Sequence, residues 1–315
     1  MLQEILSSAG THDLHQTETR VFDRPTALTV ETVNGDLTLD THGNGNGRRD
    51  ADGTHDGDGT HGANGADDPE KAHDTDSVRI VAETSATSQS ALANAQLVAE
   101  GGDGEPLAVR VEHDGETDGS VRVDLDVTVP ADLDVEHAAT TNGECTAHGV
   151  TLHRVEATNG GCEVIETTGA LHAETTNGDV TVRGVDGDVQ LSSTNGHLSA
   201  ESVDGYVAAR ATTGGITVRD PVGIDDLATT AGRIDADVPA VRGATTVESA
   251  TGAVRLRPGP GLNASVTAST SVGSVTAPAL GSAHGLGTVR VEGTFGEGGP
   301  TLSVSTHVGS ITVEE

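Results

Sequence analysis

The side chains best equipped for chemistry in this sequence are carboxylates, imidazoles and two thiols, and their spacing decides what they could do. Asp179 and Asp188 each follow a glycine in a stretch where glycines recur every nine residues, which invites comparison with calcium-binding β-rolls. Such rolls ring the ion with a glycine doublet, a further glycine and an aspartate in each repeat. Here each repeat carries one regular glycine, and His197 and Gly215 stand where the acid is needed, so no structural calcium is expected. Asp186, Asp188 and Asp204 could converge across neighbouring repeats, as carboxylates do in polysaccharide-cleaving β-helices. Those enzymes use longer rungs and sugar-stacking rings, whereas Phe22, Tyr206 and Phe295 are the only aromatics of this chain. The carboxylates predict no catalytic site.

The histidines predict no metal site. His42, His55, His61 and His73 lie in an Asp/Gly-rich stretch with neither EF-hand nor zinc spacing. His137, His148, His153, His172, His197, His284 and His307 are scattered singly, with no Ser-His-acid, metal-helix or phosphate-loop pattern beside them. Cys145 and Cys162 occupy the same slot of consecutive repeats. Stacked strands would put their α-carbons about 4.8 Å apart, within reach of a disulfide, but parallel neighbours point their β-carbons the same way. Both are expected to be small buried hydrophobes with reduced thiols. No cofactor and no small-molecule substrate are expected, and the chain does not read as an enzyme.

Composition narrows the partners. The 315 residues hold 49 Asp+Glu against 17 Lys+Arg, a formal net charge of −32, and no basic run, so the chain repels phosphate backbones and anionic membranes. Nucleic-acid binding is excluded on that ground. Every basic residue but Lys71 is an arginine, a bias resembling the proteins of salt-loving archaea. In molar KCl the Debye length falls to about 3 Å, which screens the acid–acid repulsion. The first nineteen residues carry Glu4, Asp13 and Glu18 with no early positive charge and no long apolar run, unlike a secretory signal. No stretch approaches the roughly 18 apolar residues that span a bilayer. A cytoplasmic location is expected.

The elements that must position these side chains are short strands. Leu28–Val30 and Leu37–Leu39 flank the turn Asn34-Gly35-Asp36, giving an N-terminal strand pair within residues 1–40. Residues 41–76 have no apolar side chain larger than alanine and read as a disordered Asp/Gly/His-rich insertion. Residues 77–137 alternate as strands, with one short helix from Ser88 to Ala95 and a stop at Pro130.

From 138 to 315 the chain repeats. Glycines fall every nine residues from Gly160 to Gly232, and every second one closes a Thr-Asn-Gly-like motif, giving a repeat of about 18 residues. The motif glycines are Gly143, Gly160, Gly178, Gly196, Gly214, Gly232, Gly252, Gly273 and Gly309, the last two being 36 residues apart and read as two repeats. The second residue after each is apolar: Cys145, Cys162, Val180, Leu198, Ile216, Ile234, Val254, Val275 and Ile311. Polar residues alternate with these, the signature of a strand buried on one face. A unit this small cannot bury its own apolar face, but stacked units can, which predicts a parallel β-solenoid. The glycines are expected in the left-handed position of a type II-like turn. Asn142, Asn159, Asn177 and Asn195 are expected to stack as a ladder. At Gly223 the scheme falters, because Asp225 takes the apolar slot next to Pro221, so a bulge or a locally displaced strand is expected there.

These features resemble a known group. The strand pair around Val30-Glu31-Thr32-Val33-Asn34-Gly35-Asp36, the segment Val123–Pro130, the successive Thr-Asn-Gly motifs, and the closing Thr270–Val275 and Thr306–Ile311 are similar to the "putative adhesin" family of β-strand repeat proteins, a domain of unknown function. The resemblance implies a right-handed β-solenoid with a strand-rich N-terminal part, and it brings no activity, catalytic residue or cofactor. Two functional expectations follow. One is a structural or interaction module that meets an unidentified protein partner. The other is a polymer that grows through exposed solenoid ends, with the strand Ser310–Glu315 as an open terminal edge guarded only by Glu314 and Glu315.

Overall fold

The computed structural model describes residues 14–42, 76–113 and 119–314, apart from the side chains of 284–286. The expected disordered insertion lies outside the described residues except for Thr41, His42 and Asp76. The His42 ring Nε2 donates to Ser77 O at 2.8 Å, so the two ends of that stretch meet.

The chain is all-β with a single short helix among the described residues. The N-terminal elements are β1 (Leu14–Asp23), β2 (Leu28–Asn34), β3 (Leu37–Thr41), β4 (Ser77–Ala86), α1 (Gln89–Asn94), β5 (Ala95–Gly101), β6 (Leu107–His113) and β7 (Val121–Val129). Then come β8 (Asp134–Asn142), β9 (Cys145–His148), β10 (Thr151–Leu152), β11 (Arg154–Asn159), β12 (Cys162–Ile165), β13 (Leu171–Asn177), β14 (Val180–Val185) and β15 (Val189–Asn195). The rest are β16 (Leu198–Thr213), β17 (Ile216–Ala231), β18 (Ile234–Val238), β19 (Thr245–Thr251), β20 (Val254–Pro258), β21 (Ala264–Ala277), β22 (Gly281–Phe295), β23 (Thr301–Val308) and β24 (Ile311–Val313). Ser88 caps α1 by accepting the Ala91 N–H at 3.1 Å.

The strands stack in two parallel walls joined at the motif glycines. In one wall Ala138, Val155, Ala173, Leu191 and Ala209 stand opposite one another in turn; in the other Cys145, Cys162, Val180, Leu198, Ile216 and Ile234 do. Both columns are buried and belong to one continuous apolar cluster running the length of the coil. Period-two alternation supplies that cluster, because every second residue of each strand faces the gap between the walls. Opposite β17 the register of β16 shifts between Val203 and Tyr206 and again between Val207 and Ala209, beside the Gly223–Asp225 irregularity.

The stacking order departs from chain order at both ends, and at the C-terminal end two expectations are corrected. The N-terminal strand pair stacks with the repeats. β2 lies between β6 and β8, and β3 between β7 and β9, with Asn34 opposite Asn142 and Leu37 opposite Cys145. Gly273 and Gly309 are not two repeats apart: β21 and β23 are immediate neighbours, with Val272 opposite Val308. The last strand is not an open edge. β23 sits between β19 and β21, and β24 between β20 and β21, so Ile311 pairs with Val254 on one side and Val275 on the other. Both outer rungs are instead covered by antiparallel strands. β4 lies on β7 and β1 on β4, while β5 lies on β6; at the far end β22 covers β21 along its whole length.

Candidate functional site

Neighbouring rungs come closest at the motif glycines, where four kinds of bond converge. Gly143 N–H donates to Asn159 O at 3.1 Å, Gly160 N–H to Asn177 O at 2.9 Å, and Gly178 N–H to Asn195 O at 2.9 Å. Each glycine carbonyl points at the α-carbon of the glycine on the next rung. A Cβ built on Gly143, Gly160, Gly178, Gly196, Gly214, Gly232, Gly252, Gly309 or Gly273 would overlap, respectively, O of Gly35, Gly143, Gly160, Gly178, Gly196, Gly214, Gly232, Gly252 or Gly309. This corrects the turn-type expectation. Seven of these nine glycines have φ between 145° and 159°, far from the value of about +80° in a type II turn, and Gly196 and Gly232 lie outside the left-handed range. The shared requirement is backbone approach, in which glycine Cα–H faces a carbonyl oxygen.

The hydroxyl three residues before the glycine completes the joint. Thr140 donates to Gly35 O at 2.9 Å, Thr175 to Gly160 O at 2.8 Å, Thr229 to Gly214 O at 2.9 Å, Ser249 to Gly232 O at 2.8 Å and Thr306 to Gly252 O at 3.0 Å. These buried hydroxyls were missed from sequence, which singled out the exposed threonines one residue later, such as Thr141 and Thr176. Their signal is a Thr or Ser recurring in an inward column that is otherwise apolar.

Outside the joint runs an amide ladder. Asn142 Nδ2 donates to Asn34 Oδ1 at 2.7 Å, Asn159 to Asn142 at 2.8 Å, Asn177 to Asn159 at 3.0 Å and Asn195 to Asn177 at 3.0 Å. Asn34 is a member the sequence reading left out, although Asn34-Gly35 with Leu37 and Leu39 repeats the motif. Past Asn195 the same ridge continues in register as Thr213, Ala231, Thr251, Val308 and Val272. Its far end is apolar, Val308 and Val272 being 42% and 52% exposed. Aspartates after the glycines serve the coil: Asp36 Oδ1 accepts the Glu144 N–H at 2.8 Å, and Asp179 Oδ1 the His197 N–H at 2.7 Å.

Charges on the walls also pair across rungs. Asp188 accepts the Tyr206 N–H at 2.8 Å and takes Arg242 Nη1 at 2.7 Å; those two contacts hold its carboxyl below the ordinary range. Arg242 also grips Asp225 and lies over the Tyr206 ring, 4.4 Å from its centroid, at a shallow cleft of about 240 Å³. Its guanidinium is thus shared between two carboxylates and the ring, with the side chain still 48% exposed. Asp235, with a side chain 17% exposed, sits between Arg219 at 3.1 Å and Arg257 at 2.7 Å. Burial works to raise its pKa, and the two guanidiniums outweigh it, leaving the carboxyl below its ordinary range. His137, His148, His153 and His172 face one or two carboxylates each, as His137 does Glu31 at 3.5 Å and Glu156 at 3.6 Å, while His197 meets the Thr217 hydroxyl. No group of three or more His, Cys, Asp or Glu among the described residues could hold a metal.

Cys145 and Cys162 are opposite one another on adjacent rungs, buried, and both free thiols. Burial pushes the Cys162 thiol up to about 12 and Cys145 well above its ordinary range. Neither is a ready nucleophile.

A family model described as Toastrack DUF4097 matches residues 26–314, from just before β2 through β24. The chain belongs to the Toastrack DUF4097 family. The Toastrack match covers the inserted rungs at both ends as well as the regular repeats. Among curated proteins no sequence matches this chain. Two solved structures are similar to it. One, titled a "putative cell adhesion protein" of Clostridium sporogenes, has 10% identity, covers 95% of this chain and 98% of its own, and has a TM-score of 0.23. The other, titled a "putative adhesin" of Parabacteroides distasonis, has 11% identity, covers 95% and 97%, and has a TM-score of 0.38.

Proposed function

We propose that this Toastrack protein is a non-enzymatic interaction scaffold: a right-handed β-solenoid of about 18 residues per turn that presents a fixed row of side chains to a protein partner. The observation that carries the reading is the glycine-corner ridge, Asn34 to Asn195 and on to Val272. Each interior amide spends one donor and one acceptor on its neighbours, which leaves a second N–H and a second lone pair facing outward. A row of identical groups at the rung spacing, about 4.8 Å, offers a regular line of paired donors and acceptors to a protein partner. The parallel registers Asn159–Asn177–Asn195–Thr213 support the turn length. The right hand is the one that parallel strand crossovers adopt.

The charge of −32 and the near-exclusive use of arginine support a salt-loving archaeal source and a cytoplasmic location. Growth of a filament by parallel addition at open solenoid ends finds no support, because antiparallel strands cover both outer rungs.

The ridge is tested by placing bulk on it. Thr213→Arg with Thr251→Arg should leave circular dichroism unchanged and remove, in molar KCl, a protein that co-purifies with the wild-type chain. The same partner retained by the folded variant would sink the ridge as the contact.

A further inference from the structure

Strand β1 is hydrogen-bonded to β4 along one edge, Leu14 opposite Ala86 through Asp23 opposite Ser77, and to no strand along the other among the described residues. An unpaired ten-residue strand is a template for a further strand unless its side chains forbid one. Those of β1 complement themselves.

We infer that β1 is a homodimer edge, pairing antiparallel with β1 of a second copy about a two-fold axis at Thr19. About that axis Glu18 meets Arg20 of the other chain, His15 meets Asp23, and Thr17 meets Val21. Glu18 and Arg20 already pair within one chain, Arg20 Nε to Glu18 Oε1 at 2.6 Å, so the dimer assembles two such pairs into an alternating four-charge cluster. Opposite charges directly across an antiparallel pair stabilise it, and like charges there destabilise it. Val21 is 62% exposed, the highest value of any large hydrophobic side chain described, and the axis lays it beside Thr17 and Thr19 of the partner copy, joining β-branched side chains across the seam.

The face of β1 that carries the charge pair is open. On the Glu18 side a cleft of about 450 Å³ opens between β1, α1 and β5, lined by Gln16, Glu18, Arg20, Gln89, Leu92 and Gln96. The other unpaired edges offer less: β22 repeats the charge pair as Arg290 and Glu292 about Val291, but Val289 and Val291 are already buried against its own chain, so no exposed apolar side chain is left to join the seam. β5 has one charged residue, Glu100, held by Arg110 of its own chain at 2.9 Å. β22 carries Gly281, Gly285, Gly287 and Gly293, which offer no side chains across a seam. Long-range repulsion between two chains of charge −32 opposes association in dilute buffer and is screened in concentrated salt, so the dimer belongs to the high-salt regime.

Analytical ultracentrifugation of the full chain in molar KCl tests this. Wild type should sediment at twice the chain mass and shift toward monomer as salt is lowered. E18R alone and R20E alone each place like charges across the axis and should stay monomeric. Mixed in equal amounts, the two variants restore opposite charges in trans and should form a heterodimer. Thr19→Cys should cross-link to its own copy under mild oxidation, since both native cysteines are buried. A monomer in molar salt, single variants that dimerise as wild type does, or a mixture that stays monomeric would each overturn the β1 dimer. None of these outcomes touches the ridge, whose test reads a different surface.

Discussion

Replacing Gly178 by alanine isolates the joint on which the coil depends. The new Cβ falls deep inside the van der Waals surface of Gly160 O, on backbone that cannot swing aside. Restoring ordinary contact requires the two rungs to separate at that corner by roughly 1 Å. Four bonds lie in the path of that opening: Thr175 Oγ1 to Gly160 O at 2.8 Å, Gly160 N to Asn177 O at 2.9 Å, Cys162 N to Asp179 O at 2.9 Å and Asn177 Nδ2 to Asn159 Oδ1 at 3.0 Å. At a net worth of about 1 kcal/mol each, their loss amounts to roughly 3–5 kcal/mol. Gly243→Ala and Gly261→Ala, where a Cβ meets nothing within 4 Å and φ is not positive, are the controls. They should change stability by about 0.5–1 kcal/mol at most, in the stabilising direction. Urea unfolding in molar KCl reads all three. Gly196→Ala separates close approach from backbone conformation, because Gly196 lies outside the left-handed range yet its Cβ would overlap Gly178 O just as deeply. A Gly196 variant much milder than the Gly178 variant, or a Gly178 variant within about 1 kcal/mol of wild type, would refute the close-approach account.

Other perturbations read other parts of the same joint. Thr175→Val keeps the side-chain shape but removes the hydroxyl from Gly160 O; urea unfolding should fall by about 1 kcal/mol, a modest cost because Ala157 and Ala211 hold that position on other rungs. The buried thiols make stability depend on pH: above about 8.5 the unfolded chain loses thiol protons that the folded chain keeps until about 12 for Cys162. Stability should therefore fall by about 1.4 kcal/mol per pH unit per thiol across that window, and Cys145→Ala with Cys162→Ala should flatten the slope in urea titrations. Arg242→Ala frees the Tyr206 ring, and since this chain has one tyrosine and no tryptophan, its emission should change while stability moves by less than about 1 kcal/mol. A chain ending at Pro300 lacks β23 and β24, so hydrogen exchange should lose protection throughout β21 and β22; protection retained there would contradict the stacking order.

The walls were legible because burial enforces them: Cys145, Val180, Leu198 and Ile234 recur in one slot, and a one-residue slip would turn that column outward. The glycines were legible as a requirement and not as a cause. A sequence shows that nothing larger than glycine occurs at 178 or 196, and both left-handed backbone and close approach produce that pattern. Neighbour order was the least legible feature. Asn34-Gly35-Asp36 carries the same signature as the later corners, but about a hundred residues separate it from Asn142, and distance along the chain hid the kinship. The Tyr206–Arg242–Asp225 cluster left no signal beyond the apolar slot lost at Asp225, because it unites residues of three different rungs.

Repeats that match one another this closely would pair in many orders, so what fixes a single order must lie outside them. The inserted rungs do this at both ends. β2–β3 can join only a coil whose neighbouring rungs, β6–β7 and β8–β9, are both available, and β23–β24 likewise requires β19–β20 and β21. Each insertion ties sequence-distant segments into one rung stack, so neither outer rung can peel away as an independent end unit. The antiparallel strands β4, β5 and β22 then occupy the parallel templates that insertion leaves outermost. The length of the rod is thereby set by topology, while its cross-section is set by the repeat. A Toastrack chain can consequently gain or lose regular rungs between Asn142 and Thr251 without exposing a parallel edge, so the span of the coil can change while antiparallel strands still cover both outer rungs.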